Sequence, residues 1–204
     1  MSTTTATRTQ GMLIQSGILG RMSQENFELF CQEQRDLRIE RNEAGELEIM
    51  APTHSLTGRI NTEILRQLAN WNVDQQLGLV FGSSTGFYLS GKPDTMRAPD
   101  ASFLLQKRYD ALPADEQHGF LPLCPDFVVE LKSQSDSLSD LQLKMERYLG
   151  YGASIGWLID PASETVHVYR AEEELLIVSG FDQSLEAGPL MPGFALDLSR
   201  LRMA

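Results

Sequence analysis

Apolar and polar residues alternate with two different periods along this chain, and each change of period marks a predicted element. Apolar positions at helical spacing predict a first helix from Ser23 to Gln34, with Ser23 as its N-cap. Strict alternation over residues 37–40 and 47–50, on either side of a glycine-containing turn, predicts a β-hairpin. Isoleucine and leucine at helical spacing then predict a long helix over about residues 55–76.

Shorter apolar runs bounded by turn residues predict the strands of the second half. They cover residues 79–81, 87–89, 100–105, 125–133, 155–159, 165–169 and 175–178. An amphipathic helix is predicted between two of these runs, from Ser139 to Gly150. This order of helices and strands predicts an α/β (mixed α+β) fold, in which helices flank a central mixed sheet.

The composition predicts one domain with a short leader. With 204 residues, of which 42% are hydrophobic, the chain is long enough for one sizeable core. We expect residues 1–20 to form a disordered leader without secretory features, and residues 21–204 to form a single domain. No apolar run is long enough to span a bilayer. Cys31 and Cys124 are isolated, which argues against a zinc site and favours a cytoplasmic location.

The net charge of −11 argues against tight, non-specific binding of nucleic acid by a monomer. Proteins that bind duplex DNA usually carry a basic patch, whereas lysine and arginine are spread along this chain. Net charge does not determine where the charges lie, so a local positive face is compatible with this total. Carboxylates that bind a metal would also contribute to the negative charge.

The strongest chemical signal comes from Pro99-Asp100 and, thirty residues later, Glu130-Leu131-Lys132. The second segment ends a predicted strand, where side chains alternate, so Glu130 and Lys132 are expected on the same face. Two carboxylates can hold Mg²⁺ and leave coordination positions for water and phosphate oxygens. A nearby lysine can orient or deprotonate water, or stabilise charge on a phosphate. These residues are therefore suited to metal-assisted cleavage of a phosphodiester.

The chain resembles the PD-(D/E)XK nuclease superfamily and, within it, the Uma-two family of restriction-type endonucleases. The matching segments are Asn61–Leu65, Phe81–Phe87, Arg97–Ser102, Pro125–Glu130, Ser133, Ser135-Asp136, Lys144–Tyr148 and Gly156–Pro161. A lone Pro-Asp or Glu-x-Lys pattern is a weak signal, but this ordered series is specific. It covers most of the chain, roughly from Leu37 to Tyr169.

The resemblance implies a restriction-endonuclease-like core and assigns roles to individual residues. Asp100 and Glu130 would hold the metal, and Glu63 would be an additional acid from the preceding helix. Lys132 would be the catalytic lysine. Many relatives lack a lysine at that position and carry one on the following helix instead, so Lys144 could share or take over its role.

The same resemblance implies an endonuclease that uses Mg²⁺ or Mn²⁺ to hydrolyse DNA. A duplex is the expected substrate, and a homodimer is expected because one metal site cuts one strand. Two alternatives stay open. One is a non-catalytic binding or interaction protein on a nuclease fold, which the acidic charge favours. The other is a nuclease that acts on RNA.

Each candidate residue also has a simpler interpretation. Asp100 could cap a turn, and Lys132 could be an exposed strand-end lysine or an ion-pair partner of Glu130. Lys144 could lie on the solvated face of its helix, which is the favoured interpretation from the sequence alone. Glu63 could pair with an arginine one helical turn away.

Overall fold

The computed structural model describes residues 11–14, 22–89 and 95–203. Its strands are β1 (Gly11–Ile14), β2 (Arg38–Arg41), β3 (Leu47–Met50), β4 (Gly78–Gly82), β5 (Phe87–Tyr88), β6 (Met96–Arg97), β7 (Ala101–Leu105), β8 (Phe127–Leu131), β9 (Ile155–Asp160), β10 (Thr165–Arg170), β11 (Leu176–Ser179), β12 (Ser184–Glu186) and β13 (Ala195–Asp197). Its helices are α1 (Gln24–Glu33), α2 (Ser55–Gln75), α3 (Gln106–Asp110) and α4 (Leu138–Gly150). Short 3₁₀ turns cover residues 116–118 and 198–201.

A six-stranded mixed sheet forms the centre of the fold, in the order β11-β10-β9-β8-β7-β4. Strands β8 and β9 run parallel, and the other neighbouring strands pair antiparallel. A parallel pair needs a crossover connection, and α4 supplies it between β8 and β9. The predicted class, a central mixed sheet flanked by helices, is confirmed. No helix in the described part of the chain is both long and apolar enough to cross a membrane.

Both faces of this sheet are buried, which explains why its central strands are almost uniformly apolar. Along β8, Phe127 and Val129 point to the core that α2 and the C-terminal segment cover. Val128, between them, belongs to the opposite core, together with Met145 and Tyr148 of α4. Glu130 has the same strand parity as Val128, so a carboxylate occupies the face that α4 covers.

A second, five-stranded antiparallel sheet has the order β1-β3-β2-β6-β5. It contains the predicted hairpin, β2 and β3, and packs with α1 around a separate small core that includes Phe27, Ile39 and Leu47. Only three residues separate β6 from β7 of the central sheet. This short connection keeps the polar side chains of the small sheet near the start of β7.

Part of the predicted leader lies among the described residues. Gly11–Ile14 form β1, which pairs antiparallel with β3. Ile14 is a β-former, and β1 pairs with an edge of β3 that would otherwise be unpaired. Residues 1–10 and 15–21 of the predicted leader lie outside the described residues.

Two glycines offer a test of the central packing with the same substitution at each. A Cβ added to Gly78 would collide with the backbone of Leu104, whereas one added to Gly58 in α2 meets no atom within 4 Å. Gly78→Ala should lower the free energy of unfolding by about 1–3 kcal/mol through overpacking. Gly58→Ala should raise it by up to about 1 kcal/mol through helix propensity. Urea denaturation measures both, and equal effects of the two substitutions would contradict the packing described here.

Candidate functional site

Antiparallel pairing of β7 with β8 places the start of one strand beside the end of the other. Ala101 lies opposite Val129 in the register, so Asp100, directly before β7, comes to lie near the end of β8. Its Oδ2 accepts a hydrogen bond of 2.9 Å from the Leu131 backbone N–H. Asp100 and Glu130 line the same cavity, whose volume is about 330 Å³. The structure therefore brings together the two carboxylates that the sequence pairs.

The lysine beside these carboxylates is Lys144 of α4. Its Nζ lies 2.8 Å from Oε1 of Glu130 and 3.3 Å from Oε1 of Glu40. One helical turn further on, Tyr148 donates a hydrogen bond of 2.9 Å to the same oxygen of Glu130. Among the described residues, both of these partners contact Oε1 of Glu130, which leaves the lone pairs of Oε2 for a further ligand.

Lys144 is held from its other side by a buried network of charges. Glu40 is 1% exposed, and its Oε1 also accepts a hydrogen bond of 3.1 Å from the Ala98 N–H. Arg97, 3% exposed, contacts Oε2 of Glu40 at 3.0 Å and Oε2 of Glu48 at 2.7 Å. Such buried charges are tolerated only when they are paired and hydrogen-bonded, and this network pairs them.

Arg38 contacts the second carboxylate of the cavity. Its guanidinium lies 3.4 Å from Oδ1 of Asp100 and donates a hydrogen bond of 2.8 Å to the Ala98 carbonyl. With Leu131 on one oxygen and Arg38 on the other, Asp100 is fixed in position. It remains part of the cavity wall.

Burial and neighbouring charges change the titration of Glu130 and Lys144. Burial raises the pKa of Glu130 to about 7; Lys144 opposes this rise, while Asp100 and Glu40 add to it. Burial lowers the pKa of Lys144, but Glu130 and Glu40 outweigh it and hold that pKa above its ordinary value. Lys144 is therefore an ammonium group at neutral pH, whereas Glu130 exchanges a proton near neutrality.

Lys132 does not join Glu130, although the alternation along the strand predicts a shared face. Strand β8 ends at Leu131. The Lys132 ammonium lies 3.6 Å from Oδ2 of Asp160 and donates a hydrogen bond of 3.3 Å to the Ser133 carbonyl. It lines a neighbouring cavity and not the one that holds Asp100 and Glu130.

The structure does not bring Glu63 to the site either. Its carboxylate accepts hydrogen bonds from Arg66 at 2.6 and 2.9 Å and from Gln67 at 3.1 Å. The helix-surface pairing with arginine, the simpler interpretation, is what the structure shows. For Lys144 the simpler interpretation is wrong, because its side chain is only 15% exposed and faces two carboxylates.

Four contributors to the site escaped the sequence reasoning: Arg38, Glu40, Arg97 and Tyr148. A weak signal existed for two of them, because Arg38 and Glu40 alternate with apolar positions in the predicted hairpin. Such alternation predicts a polar face, but it does not reveal that the face meets another part of the protein. Tyr148 lies four residues after Lys144, a spacing that places both on one face of a helix.

The donors in the cavity fit a hard divalent cation that keeps part of its water shell. Among the residues that the structure describes, no group of three or more histidine, cysteine, aspartate or glutamate side chains is placed to hold a metal ion. Asp100 and Glu130 are two of the carboxylates in the cavity wall. Mg²⁺ commonly binds through one or two carboxylates, with water and substrate phosphate completing its shell. The pair matches that pattern and does not match a site made of protein ligands alone.

A family profile matches most of the chain. The profile of Uma2, described as "Putative restriction endonuclease", matches residues 24–199. The chain belongs to the Uma2 (Uma-two) family. The match spans every element that contributes to the cavity of this Uma2 protein. Comparison with curated proteins gave no significant match.

A solved structure shares the fold. It is described as a "putative nuclease belonging to DUF820" from Anabaena variabilis ATCC 29413 and superimposes with a TM-score of 0.71. The alignment covers 88% of this chain and 97% of the other, at 21% sequence identity. At this identity the likeness establishes the fold alone.

The buried network predicts that replacing two different arginines of the Uma2 protein will have very different effects on its stability. Arg97→Met would leave the buried Glu40 without its guanidinium partner and should lower the free energy of unfolding by about 3–5 kcal/mol. Arg66→Met removes an exposed partner of Glu63 and should leave stability nearly unchanged. Guanidinium chloride denaturation measures both changes. A small effect of Arg97→Met would contradict the pairing of Glu40 with Arg97.

The position of Lys144 predicts how Glu130 titrates in the metal-free protein. The Glu130 carboxyl should titrate near pH 7, and Lys144→Met should raise its pKa further by removing the neighbouring cation. The folded state holds this proton more tightly than the unfolded chain does. The contribution of Glu130 to the free energy of unfolding is therefore lost as pH rises towards 7. Carbon-13 NMR of glutamate-labelled protein, assigned with Glu130→Gln, measures both titrations. An unchanged or lower pKa in Lys144→Met would contradict the contact.

Proposed function

We propose that this chain is a Mg²⁺- or Mn²⁺-dependent endonuclease that hydrolyses phosphodiester bonds of DNA. One observation carries the proposal: an ammonium group, Lys144, lies 2.8 Å from a carboxylate that shares its cavity with a second carboxylate. The family description points to the same chemistry.

Asp100 and Glu130 would hold the cation through their carboxylate oxygens. When bound, the cation supplies polarisation of the scissile phosphodiester and activation of a water molecule. The protein fixes the two carboxylates in advance, because the Leu131 N–H holds Asp100 while Tyr148 and Lys144 hold Glu130. Glu63 accepts hydrogen bonds from Arg66 and Gln67 on α2, so we do not place it among the metal ligands.

We assign the catalytic lysine to Lys144 and not to Lys132. Its raised pKa keeps it protonated, so it is suited to stabilise negative charge that develops on the phosphate and to orient water. It is not suited to remove a proton from water at neutral pH. Glu40 keeps the ammonium in place at 3.3 Å from its other side.

The charges that line the cavity support dependence on a divalent cation. Among the residues that the structure describes, six acidic side chains and four basic ones line it. The acids are Glu40, Glu48, Asp100, Glu130, Asp136 and Asp140, and the bases are Arg38, Arg97, Lys144 and Arg147. This excess of negative charge opposes the approach of a phosphodiester, and a bound divalent cation would cancel it.

Duplex DNA remains the proposed substrate, with RNA as the alternative. Cleavage of both strands of a duplex would be simplest with two copies of the chain, so a homodimer is part of the proposal.

Calorimetric titration with Mn²⁺ tests the metal site first. The wild type should bind, and the Asp100→Ala, Glu130→Ala double variant should lose binding because both carboxylate ligands are gone. The control is Glu63→Gln, which removes a carboxylate outside the cavity and should bind Mn²⁺ as the wild type does. Equal binding by the wild type and the double variant would contradict the assignment.

Cleavage then tests the reaction, with plasmid DNA and an RNA of similar length as substrates. Lys144→Met should lower kcat by about 10²–10³, because a preorganised charge on the reacting phosphate is lost. Cleavage of RNA alone would replace the proposed substrate. A folded wild type that neither binds Mn²⁺ nor cuts either polymer would instead favour the non-catalytic binding protein.

A further inference from the structure

A second cavity adjoins the one that holds Asp100 and Glu130. Its volume is about 320 Å³, and the two cavities share Thr57, Leu131 and Ser133 in their walls. The shared wall contains the end of β8 and the residues directly after it. A polymer bound in the first cavity can therefore extend into the second over a short distance.

The second cavity has an electrostatic character unlike that of the first. Among the described residues, those that line it include Lys132 and no aspartate or glutamate. The other polar residues in its walls are His54, Thr57, Ser133, Gln134 and Ser135. In a chain whose net charge is −11, a cavity lined by a cation and by hydroxyl and amide groups is a favourable place for an anion.

Lys132 has donor capacity for a ligand in this cavity. Its ammonium carries three N–H donors, and one hydrogen bond goes to the Ser133 carbonyl at 3.3 Å. Its contact with Asp160, at 3.6 Å, is longer than a hydrogen bond of good geometry. The side chain is 15% exposed, so a new partner would be only partly screened by water.

We infer that this second cavity binds a phosphate group of the substrate strand, one that neighbours the phosphodiester in the first cavity, and that Lys132 is its cationic contact. The inference rests on the proposed function and adds a binding subsite to it. Ser135, whose hydroxyl lies 3.3 Å from that of Ser133, lines the subsite beside Lys132. Lys132 is thus a substrate-binding residue, separate from the Lys144 that contacts Glu130.

The salt dependence of DNA binding tests this subsite. Fluorescence anisotropy of a labelled duplex, with Ca²⁺ at a fixed concentration in place of Mg²⁺ to supply the divalent charge of the first cavity, gives the association constant of each variant over a range of salt concentrations. Each phosphate contact contributes about 0.9 to the slope of log K against log salt. Lys132→Gln should reduce the magnitude of that slope by about 0.9 and weaken binding to unrelated duplexes by similar factors. Lys132→Arg should restore both values.

Two matched variants separate a local contact from a general effect of charge. Lys107→Gln removes the same charge from an exposed lysine outside both cavities and should leave the slope close to that of the wild type. The Lys132→Gln, Asp160→Asn double variant keeps the net charge and leaves no carboxylate without its partner, which protects the fold. It should show the same reduced slope as Lys132→Gln.

The outcomes separate this inference from the proposed function. If the wild type binds and cuts DNA while the Lys132 variants keep its slope, the subsite is wrong and the endonuclease stands. An equal reduction in Lys107→Gln would also overturn the subsite, because any surface cation would then have the same effect. If the wild type neither binds nor cuts DNA, the proposed function and the subsite fall together.

Discussion

The burial of Glu130 beside the Lys144 ammonium is the interaction on which the rest of the site depends. A carboxylate on the covered face of a central strand loses its hydration, and only a charged or hydrogen-bonding partner can compensate. Helix α4 supplies two such partners one turn apart, Lys144 and Tyr148. The helix that forms the crossover between the parallel strands therefore also carries the ammonium group of the site.

Burying Lys144 creates a second requirement, which the small sheet satisfies. The ammonium lies between Glu130 of the central sheet and Glu40 of β2, and Glu40 is balanced in turn by Arg97 of β6. Both sheets thus contribute charges to one network. The site lies at their junction, and the three-residue connection from β6 to β7 places Asp100 at the same point.

The acidic composition is compatible with a phosphodiester substrate once the charges are placed in space. The first cavity carries an excess of carboxylates, which suits a divalent cation, whereas no carboxylate among the described residues lines the second. The two lysines of the Glu-x-Lys and helix motifs lie in different cavities. Lys144 is thus suited to the reaction that we propose, and Lys132 to binding the substrate strand. The overall charge of −11 does not describe the local electrostatic field in either cavity.

Local patterns in the sequence determined α1, α2, α4 and most of the strands. Ser23 caps α1, the alternating runs form β2 and β3, and the second long helix begins at Ser55, because propensity and periodicity act over a few residues. The sequence also pairs Asp100 with Glu130. Tertiary structure decided which lysine joins them, because that depends on where β8 ends and on which face of α4 meets the sheet. It also decided that Glu40 and Arg97 are buried, since no local pattern reveals what lies opposite a polar face.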